Sequence, residues 1–499
     1  MGSNTKAFTP VTASAPCKYV VPPATVPVDG AGSLTFSNNQ VSAPAFILFY
    51  IPPMPNPIPI PASQLIGFIV VVPLFITLAV GISFAWFPLI FVLTALPSFG
   101  AYNILFANVA VPIRQQKGLP GKPRDHYLKI KDQALAAKFP SKIPMETFFE
   151  AYFDQKIDLP EGQDMMYTLE HRYEWASFVF TLGNLKFFLT QWIPETIWHS
   201  KKQDEDQVRE HYDRGDDFYN WFLGPRMIYT SGIITDLKTP ETLEQLQDNK
   251  LNLVCDKINL KKGDKMLDIG CGWGTLSVHA AKRGANVTGV TLGRNQTAWG
   301  MGKAKEAGVA DNVRILCMDY RDIPKEKYDK ITCLEMAEHV GVRKFQEFLI
   351  QVREMLTDDG IFYLQIAGLR RAWQYEDLIW GLFMAKYVFP GADASAPLNW
   401  VLEQAERAGY EVAHCDTIGV HYSATIYRWY LNWMQNKEKV ISTYGTRWFR
   451  VWEIFLAWSS IVARQGSATC YQIVLHKNLN AFDRNQFIGG RTKAASYNN

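Results

Sequence analysis

The chain has 499 residues, of which 48% are hydrophobic and 20% charged, and its formal net charge at pH 7 is +3. This length suits one catalytic domain with large additions, and the charged fraction excludes a polytopic transporter. The weak net charge gives no reason to expect nucleic-acid binding. The seven cysteines follow neither zinc-binding nor disulfide spacing, so the sequence predicts no metal site and a reducing compartment.

Two segments of different composition precede the catalytic region. Residues 1–62 are rich in Pro, Ser, Thr and Val without a signal-peptide pattern, which predicts a flexible arm. Residues 63–112 are almost wholly apolar and carry no charge. At about 20 residues per crossing, they predict a hairpin of two transmembrane helices, near Ser63–Ser83 and Phe87–Ala110. The alternative is an apolar hairpin buried in a protein core.

The residues after this hairpin predict its orientation. Basic residues follow directly, at Arg114, Lys117, Lys122 and Arg124. By the positive-inside rule they place the rest of the chain in the cytosol. Residues 113–204 are predicted to form a linker with interfacial helices, in which Phe178–Trp198 suits the surface of a lipid bilayer. The alternative for that stretch is a helix packed on the catalytic core. The sequence gives no oligomeric state.

The catalytic region contains a glycine-rich loop, LDIGCGWGTL (Leu267–Leu276). An apolar strand is predicted to end at Asp268, and a helix to follow the loop as far as about Arg283. A second strand is predicted at Asn286–Thr291. Such a unit holds its ligand at the carboxyl ends of the strands. Glycines let the backbone approach a cofactor closely, and a carboxylate offsets the charge of a cationic one.

Strands and helices continue to alternate after this unit. Further elements are predicted as strands at Val313–Met318, Lys330–Leu334 and Gly360–Gln365, a helix at about Arg343–Leu356, and an antiparallel final strand at Cys470–Lys477. The alternation predicts an α/β catalytic domain with a doubly wound sheet over residues 205–480, followed by a C-terminal tail at 481–499.

Eight separated stretches occur in order through this region. They are HYDRGDDFY (His211–Tyr219), MIYTSG (Met227–Gly232), LDIGCGWGTL, VTGVTLGRNQ (Val287–Gln296), DYRD (Asp319–Asp322), EHVG (Glu338–Gly341), KYVFPG (Lys386–Gly391) and HYSATIYRW (His421–Trp429). Their set and order resemble the cyclopropane-fatty-acyl-phospholipid synthase family of S-adenosylmethionine-dependent methyltransferases, which have the class I, Rossmann-like fold. Within that family, the apolar N-terminal segment and the C-terminus resemble the fungal sphingolipid C9-methyltransferases.

The resemblance implies a membrane-anchored enzyme that uses S-adenosyl-L-methionine to methylate an alkene through a carbocation. The implied substrate is a ceramide-type sphingolipid, methylated at C9 of the Δ8 double bond of its sphingoid base, and the implied setting is glucosylceramide biosynthesis at the endoplasmic reticulum membrane. Two alternatives stay open. One is cyclopropane formation on unsaturated phospholipid acyl chains, and the other is an inactive cofactor-binding membrane scaffold.

The resemblance also implies ten cofactor contacts. They are Tyr229, Thr230, Asp268, Gly270, Gly272, Thr291, Gln296, Asp319, Tyr320 and Arg321. The second strand ends in Thr291 instead of an acidic residue, so Gln296 is the candidate for holding the ribose hydroxyls. Asp319 could instead cap a turn, and Tyr229 could belong to the core.

The proton acceptor is where the sequence departs from the family. Cyclopropane synthases resemble one another in a bicarbonate pocket built from a Cys, a Glu, a His and a Tyr, and the matching positions here are Ser231, Glu338, Gln365 and Tyr422. Two of the four are replaced, which favours a methyl branch over a ring. Glu338 is the leading candidate base, with Tyr422 and His421 behind it.

The remaining predictions concern the lipid. Contacts with substrate are predicted at Ser231, Gln365, Tyr387 and Phe389. An insertion at about 366–400 is predicted as a lipid entrance, with Arg370 and Arg371 near head groups and Leu378–Val388 toward the acyl phase. The alternative is a helix that covers the sheet. A long-chain lipid leaves a bilayer at a cost of about 0.8 kcal/mol per CH₂, so the enzyme must work at the membrane.

Overall fold

The computed structural model describes residues 62–95, 97, 122–179, 181–187, 190–191, 215–371, 375–390 and 396–487. The predicted arm, apart from residue 62, lies outside the described residues. So do residues 98–110 of the second predicted crossing, most of the amphipathic stretch after residue 187, and the tail after residue 487.

A seven-stranded sheet lies at the centre of the catalytic domain. Its strands are β1 (Lys265–Ile269), β2 (Asn286–Thr291), β3 (Val313–Cys317), β4 (Tyr328–Leu334), β5 (Leu356–Leu369), β6 (Tyr410–Thr417) and β7 (Ala468–Lys477). The spatial order is β6-β7-β5-β4-β1-β2-β3. Strands β1 to β5 are parallel, and β7 is antiparallel to both of its neighbours. The structure therefore confirms the doubly wound sheet and its antiparallel final strand.

Helices cover both faces of this sheet. They are Asp216–Leu223, Leu243–Lys257, Thr275–Lys282, Arg294–Glu306, Phe345–Met355, Leu398–Arg407, Gly419–Gln435 and Lys437–Arg464. Successive residues of β1 enter different cores, since Leu267 and Ile269 pack in one apolar cluster and Met266 in another. This is the period-two alternation of a strand buried on both faces.

Residues 122–187 form a further unit of short elements. Its helices are Arg124–Tyr127, Gln133–Lys138, Met145–Phe153, Met165–Glu170, Arg172–Trp175 and Leu182–Phe187, and its two-residue strands are Lys129–Ile130, Ile143–Pro144, Ile157–Asp158 and Ala176–Ser177. The unit shares an aromatic core with helix Lys437–Arg464, in which the rings of Phe149 and Trp458 lie 5.6 Å apart. The region predicted as a linker with interfacial helices thus packs on the catalytic domain.

The insertion predicted as a lipid entrance contains helix Tyr375–Phe383 and a π-helical turn at Met384–Val388. Its apolar side chains are packed inside the protein: Phe383 contacts Phe149, with 4.7 Å between ring centroids. Arg370 pairs with the buried Asp377 at 2.9 Å. The structure therefore shows a helix packed against the unit formed by residues 122–187, and both the entrance and its alternative, a helix that covers the sheet, stay predictions.

The apolar N-terminal segment contains helix Ala62–Ala79, a single 3₁₀ turn at Phe84–Trp86 and helical residues 87–95. In the part of the chain that the structure describes, no helix is both long and apolar enough to cross a membrane. The two predicted crossings are therefore not supported. Helix Ala62–Ala79 contains Pro73, and the second predicted crossing continues beyond the described residues.

Candidate functional site

A cleft lies at the carboxyl ends of β1, β2 and β4. Its empty space, with the open mouth included, is about 1170 Å³. All ten residues predicted to contact the cofactor line it, namely Tyr229, Thr230, Asp268, Gly270, Gly272, Thr291, Gln296, Asp319, Tyr320 and Arg321. Residues separated by up to 92 positions in sequence, 229 to 321, are thus brought to one site, as expected for a sheet of this topology.

The glycine-rich loop forms one wall of the cleft. Gly270, Gly272 and Gly274 have φ angles of +73°, +54° and +73°, a region that side-chain-bearing residues rarely adopt. A Cβ atom on Gly270 would lie 2.5 Å from the Cβ of Met336, whereas one on Gly272 would meet open space. The loop therefore leaves its backbone accessible to a ligand in the cleft.

Asp268 lies at this wall, and two hydroxyl groups hold its carboxylate in place. Its side chain is 2% exposed, and its two oxygens accept hydrogen bonds from Ser277 Oγ at 2.8 Å and Thr332 Oγ1 at 2.9 Å. Burial raises the pKa of Asp268, and the two hydroxyl donors oppose that rise. An oriented carboxylate in this position suits a ligand that carries positive charge.

The opposite wall is held by two local contacts. Thr291 Oγ1 donates to Gln296 Oε1 at 2.6 Å, which fixes the amide of Gln296 at the cleft. Asp319 accepts from the backbone N–H of Arg321 at 2.8 Å and pairs with its guanidinium at 2.7 Å. Asp319 therefore caps the turn Tyr320–Asp322, as in the alternative, while it also lines the cleft.

A buried lysine at the cleft was not found from the sequence. Lys250 is 2% exposed, and its Nζ donates to Thr230 Oγ1 at 2.8 Å. Burial lowers its pKa to about 8, although the nearby carboxylates of Glu335 and Asp268 oppose the change. Lys250 lies in helix Leu243–Lys257, and in the sequence it looks like any other charged helix residue.

These groups fit S-adenosylmethionine. The glycine loop gives a close backbone approach, Gln296 and Thr291 supply polar groups for a ribose, and Tyr320 supplies an aromatic face. Asp268 supplies a carboxylate for a cationic ligand.

A second polar cluster adjoins the cleft and is centred on Glu335, which directly follows β4. Glu335 Oε1 accepts from the backbone N–H of Ser231 at 2.9 Å and from Gln365 Nε2 at 2.6 Å. Its Oε2 accepts from Tyr422 Oη at 2.7 Å. The thiol of Cys470 donates to Oε1 at 3.6 Å. Three of the four positions matched to a bicarbonate pocket thus converge on a carboxylate that the sequence analysis did not single out.

The amide of Gln365 is oriented by the strand beside it. Gln365 and Gln472 are register partners on β5 and β7, and Gln472 Nε2 donates to Gln365 Oε1 at 3.1 Å. The oxygen of Gln472 in turn accepts from Lys257 Nζ at 2.9 Å. Because the oxygen of Gln365 is engaged, its NH₂ group faces Glu335.

The structure shows the surroundings of two of the predicted bases, Glu338 and His421. The Oε2 atom of Glu338 is buried, and among the described residues it has no hydrogen-bond partner. Burial and the neighbouring Glu335 raise the pKa of Glu338 well above its usual range. His421 accepts a hydrogen bond from the backbone N–H of Ile234 through Nδ1 at 3.0 Å, and burial lowers its pKa. A neutral imidazole that accepts through Nδ1 carries its proton on Nε2, so both nitrogens of His421 are assigned, and the roles of Glu338 and His421 as bases stay predictions.

The predicted substrate contacts separate into two groups. Ser231 and Gln365 lie in the Glu335 cluster, and Phe389 lies near the cleft, where its ring is 6.2 Å from that of Tyr229. Tyr387 lies elsewhere: its hydroxyl donates to Glu150 Oε1 at 2.5 Å, in the unit formed by residues 122–187. The prediction of Tyr387 as a substrate contact is therefore not supported by its position.

Comparison with known proteins gives a consistent result. Residues 199–473 match the family model described as mycolic acid cyclopropane synthetase. The chain is 53% identical to sphingolipid C9-methyltransferase 2 of Gibberella zeae, covering 92% of this chain and 85% of that protein. It is 52% identical to the sphingolipid C9-methyltransferase of Komagataella phaffii, covering 93% and 92%. A structure of mycolic acid cyclopropane synthase CmaA1 complexed with SAH and CTAB has a TM-score of 0.52 and 25% identity, covering 55% of this chain and 98% of that one.

The sheet order, the glycine-rich cleft and the family match define a class I S-adenosylmethionine-dependent methyltransferase. The solved structure covers about half of this chain, whereas the two fungal relatives match most of it. The chain belongs to the family of the sphingolipid C9-methyltransferases, within the cyclopropane synthase group.

Proposed function

We propose that this enzyme methylates C9 of the Δ8 double bond of the sphingoid base in a ceramide and leaves the double bond in place. The observation that carries the proposal is the cleft, which gathers all ten predicted cofactor residues beside a polar cluster that differs from the bicarbonate pocket at two positions. The proteins named sphingolipid C9-methyltransferase, similar over most of this chain, support the choice of substrate.

The residues beside the cleft suit an alkene substrate. S-Adenosylmethionine supplies an electrophilic methyl group when bound. The ring of Trp429 lies 5.4 Å from Tyr229, a residue of the cleft, and 6.2 Å from Tyr422, a residue of the Glu335 cluster. Aromatic faces hold an acyl chain by apolar contact and stabilise positive charge that develops on it. These rings therefore form a suitable surface for the alkene between the methyl donor and the Glu335 cluster.

The proposal includes work at a bilayer. Large apolar side chains are exposed along the N-terminal segment, with Phe75 at 70%, Leu78 at 68% and Leu93 at 65%. A high density of exposed large apolar side chains in one segment is typical of a protein or membrane contact site. Because the proposed substrate is a lipid, a membrane contact site is favoured over a protein contact site. We therefore propose that this segment attaches the enzyme to the endoplasmic reticulum membrane, as a multi-pass anchor with the catalytic domain on the cytosolic side.

The chemical test uses the detergent-purified full chain, methyl-labelled S-adenosylmethionine, a Δ8-unsaturated ceramide and an unsaturated phospholipid. Mass spectrometry before and after catalytic hydrogenation separates a branched alkene, which takes up hydrogen at its double bond, from a cyclopropane. We expect labelled ceramide that keeps a reducible double bond. A labelled cyclopropane on the phospholipid would contradict the proposal, and so would cofactor binding without turnover of either lipid.

The membrane test compares two triple substitutions in flotation with vesicles of phosphatidylcholine and ceramide. Phe75→Ser, Leu78→Ser and Trp86→Ser together should reduce the fraction that floats. The control is a single protein that carries Leu237→Ser, Val342→Ser and Ile350→Ser, three substitutions of exposed apolar residues of the catalytic domain. It should float like the unsubstituted enzyme. Equal flotation of both variants would contradict attachment through this surface.

A further inference from the structure

The carboxylate of Glu335 occupies the centre of a set of donors that would otherwise suit a small oxyanion. The set consists of a backbone N–H, an amide NH₂, a phenol and a thiol, contributed by Ser231, Gln365, Tyr422 and Cys470. We propose that Glu335 is the proton acceptor of the methylation, a carboxylate of the chain itself that replaces bicarbonate. This inference rests on the proposed function, because it assigns a step of that reaction.

The distribution of donors leaves one carboxylate oxygen able to take a proton. Three donors approach Oε1 of Glu335. Among the described residues, Oε2 accepts one hydrogen bond, from Tyr422 Oη at 2.7 Å. A carboxylate oxygen offers about two lone-pair directions. Oε2 therefore keeps a direction for a proton while the other three contacts hold the group in place.

The position of Glu335 is appropriate for this step. It lines the same cleft as Asp268 and Tyr229, so its carboxylate lies beside the predicted methyl donor and the aromatic surface. Glu338, three residues later, lies outside the described lining of the cleft. Of the two carboxyl groups in this loop, only Glu335 both faces the cleft and is surrounded by donors.

The backbone at Glu335 is also unusual. Its φ angle is +53°, a left-handed conformation that costs a non-glycine residue of order 1 kcal/mol or more. The backbone N–H of Glu335 donates to the Gln365 carbonyl at 2.7 Å, which ties this conformation to β5. Such conformations persist where the surrounding structure fixes them and are concentrated at functional sites.

The proposed reaction transfers a methyl group to C9 and then removes the C9 proton. The π electron pair of the C8=C9 bond forms the new bond from C9 to the methyl carbon, the sulfur–methyl bond breaks with its pair left on sulfur, and C8 becomes cationic. The C9–H bond then breaks, its electron pair restores the C8=C9 double bond, and the proton passes to Glu335 Oε2. The products are a 9-methyl alkene, S-adenosylhomocysteine and a protonated glutamic acid that returns its proton to water.

The decisive experiment measures methyl transfer to Δ8-unsaturated ceramide in carbonate-free buffer. Glu335→Gln should lower kcat by about 10²–10⁴-fold, the usual contribution of a positioned base, while the affinity for S-adenosylmethionine stays within a few-fold. Glu335→Ala should be similarly slow, and added sodium bicarbonate should restore part of its turnover because it opens space among the same donors. The unsubstituted enzyme should not respond to bicarbonate. Glu347→Gln, at an exposed site, is the matched control.

The outcomes separate this inference from the proposed function. If the unsubstituted enzyme does not methylate the ceramide, the proposed function fails. If it does, and Glu335→Gln is equally active, or the unsubstituted enzyme requires bicarbonate, the role of Glu335 is overturned while the proposed function stands. Loss of activity in Glu335→Ala with bicarbonate rescue supports the inference, because a merely structural defect would not respond to a small anion. Loss of S-adenosylmethionine affinity in both variants, without rescue, would show a structural role and overturn it.

Discussion

Arg172 Nε and Glu376 Oε1 lie 2.5 Å apart, and each side chain is only 3% exposed. This ion pair joins the unit formed by residues 122–187 to helix Tyr375–Phe383, and Trp458 Nε1 donates to the same carboxylate at 3.4 Å. Arg172 holds the pKa of Glu376 below its usual range despite complete burial. Three separated parts of the chain therefore depend on one buried, neutralised pair.

Breaking this pair on one side should destabilise the enzyme strongly. Arg172→Met leaves the Glu376 carboxylate buried without its cation, and we expect a loss of about 3–5 kcal/mol of unfolding free energy. Arg172→Met with Glu376→Met removes both charges and should recover most of that loss. Chemical denaturation followed by tryptophan fluorescence measures the unfolding free energy of both variants.

Lys344→Ala, in an exposed pair with Glu347, is the control and should change stability by less than about 1 kcal/mol. A single variant as stable as the double variant would contradict this account.

Glu453 should make stability depend on pH. Its side chain is 3% exposed and accepts from Tyr152 Oη at 2.7 Å, and burial raises its pKa to about 7. The folded-state pKa lies above the unfolded value near 4.3, so the contribution of Glu453 is fully present below about pH 4 and is lost as pH rises through about 7. At 1.36 kcal/mol per pKa unit, the loss over about 2.7 units approaches about 4 kcal/mol.

Glu453→Gln keeps the shape and an acceptor for Tyr152 but does not titrate. Unfolding free energies measured at pH 5 and pH 8, conditions on the two sides of this pKa, should therefore fall less with pH in the variant than in the unsubstituted enzyme. Parallel pH dependence in the two proteins would rule out Glu453 as the titrating group.

The sequence predicted local elements better than it predicted the reacting groups. The second strand, Asn286–Thr291, was predicted with its observed bounds as the strand that completes the unit of strand, glycine-rich loop and helix. Strand β5 is longer than predicted, since Leu356–Leu369 continues beyond its apolar run to pair with β7. Glu335 and Lys250 were missed because their importance arises from partners distant in sequence. The local motif EHVG pointed to Glu338, whereas only the convergence of donors points to Glu335.

Gly272 of the glycine-rich loop should tolerate a side chain for folding but not for cofactor binding. Gly272→Ala places its methyl group in open space within the cleft, at a φ of +54°. We expect about 1–2 kcal/mol of backbone cost and at least a tenfold loss of S-adenosylmethionine affinity by isothermal titration calorimetry. Gly308→Ala is the control, since Gly308 has a similar φ of +69° and its added methyl group would also meet open space. Because Gly308 lies outside the described lining of the cleft, this variant should lose stability but keep its cofactor affinity. Equal cofactor affinity in the two variants would contradict close approach at Gly272.

The orientation of Asp268 should matter for the same affinity. Thr332→Val removes the hydroxyl that donates to Asp268 Oδ1 at 2.9 Å and leaves that oxygen buried without this donor. Because the hydroxyl lowers the pKa of Asp268 and burial raises it, the variant should raise that pKa further. The carboxylate form then becomes less populated as pH falls, so S-adenosylmethionine affinity should drop by about tenfold and should drop further at lower pH.

Thr288→Val is the control, because this residue lies on β2 and its hydroxyl contacts Arg314 instead of Asp268. Calorimetric titrations at pH 6 and pH 8 test both variants. If Thr332→Val binds the cofactor as tightly as the control at both pH values, Asp268 is not the group that meets the charge of the cofactor.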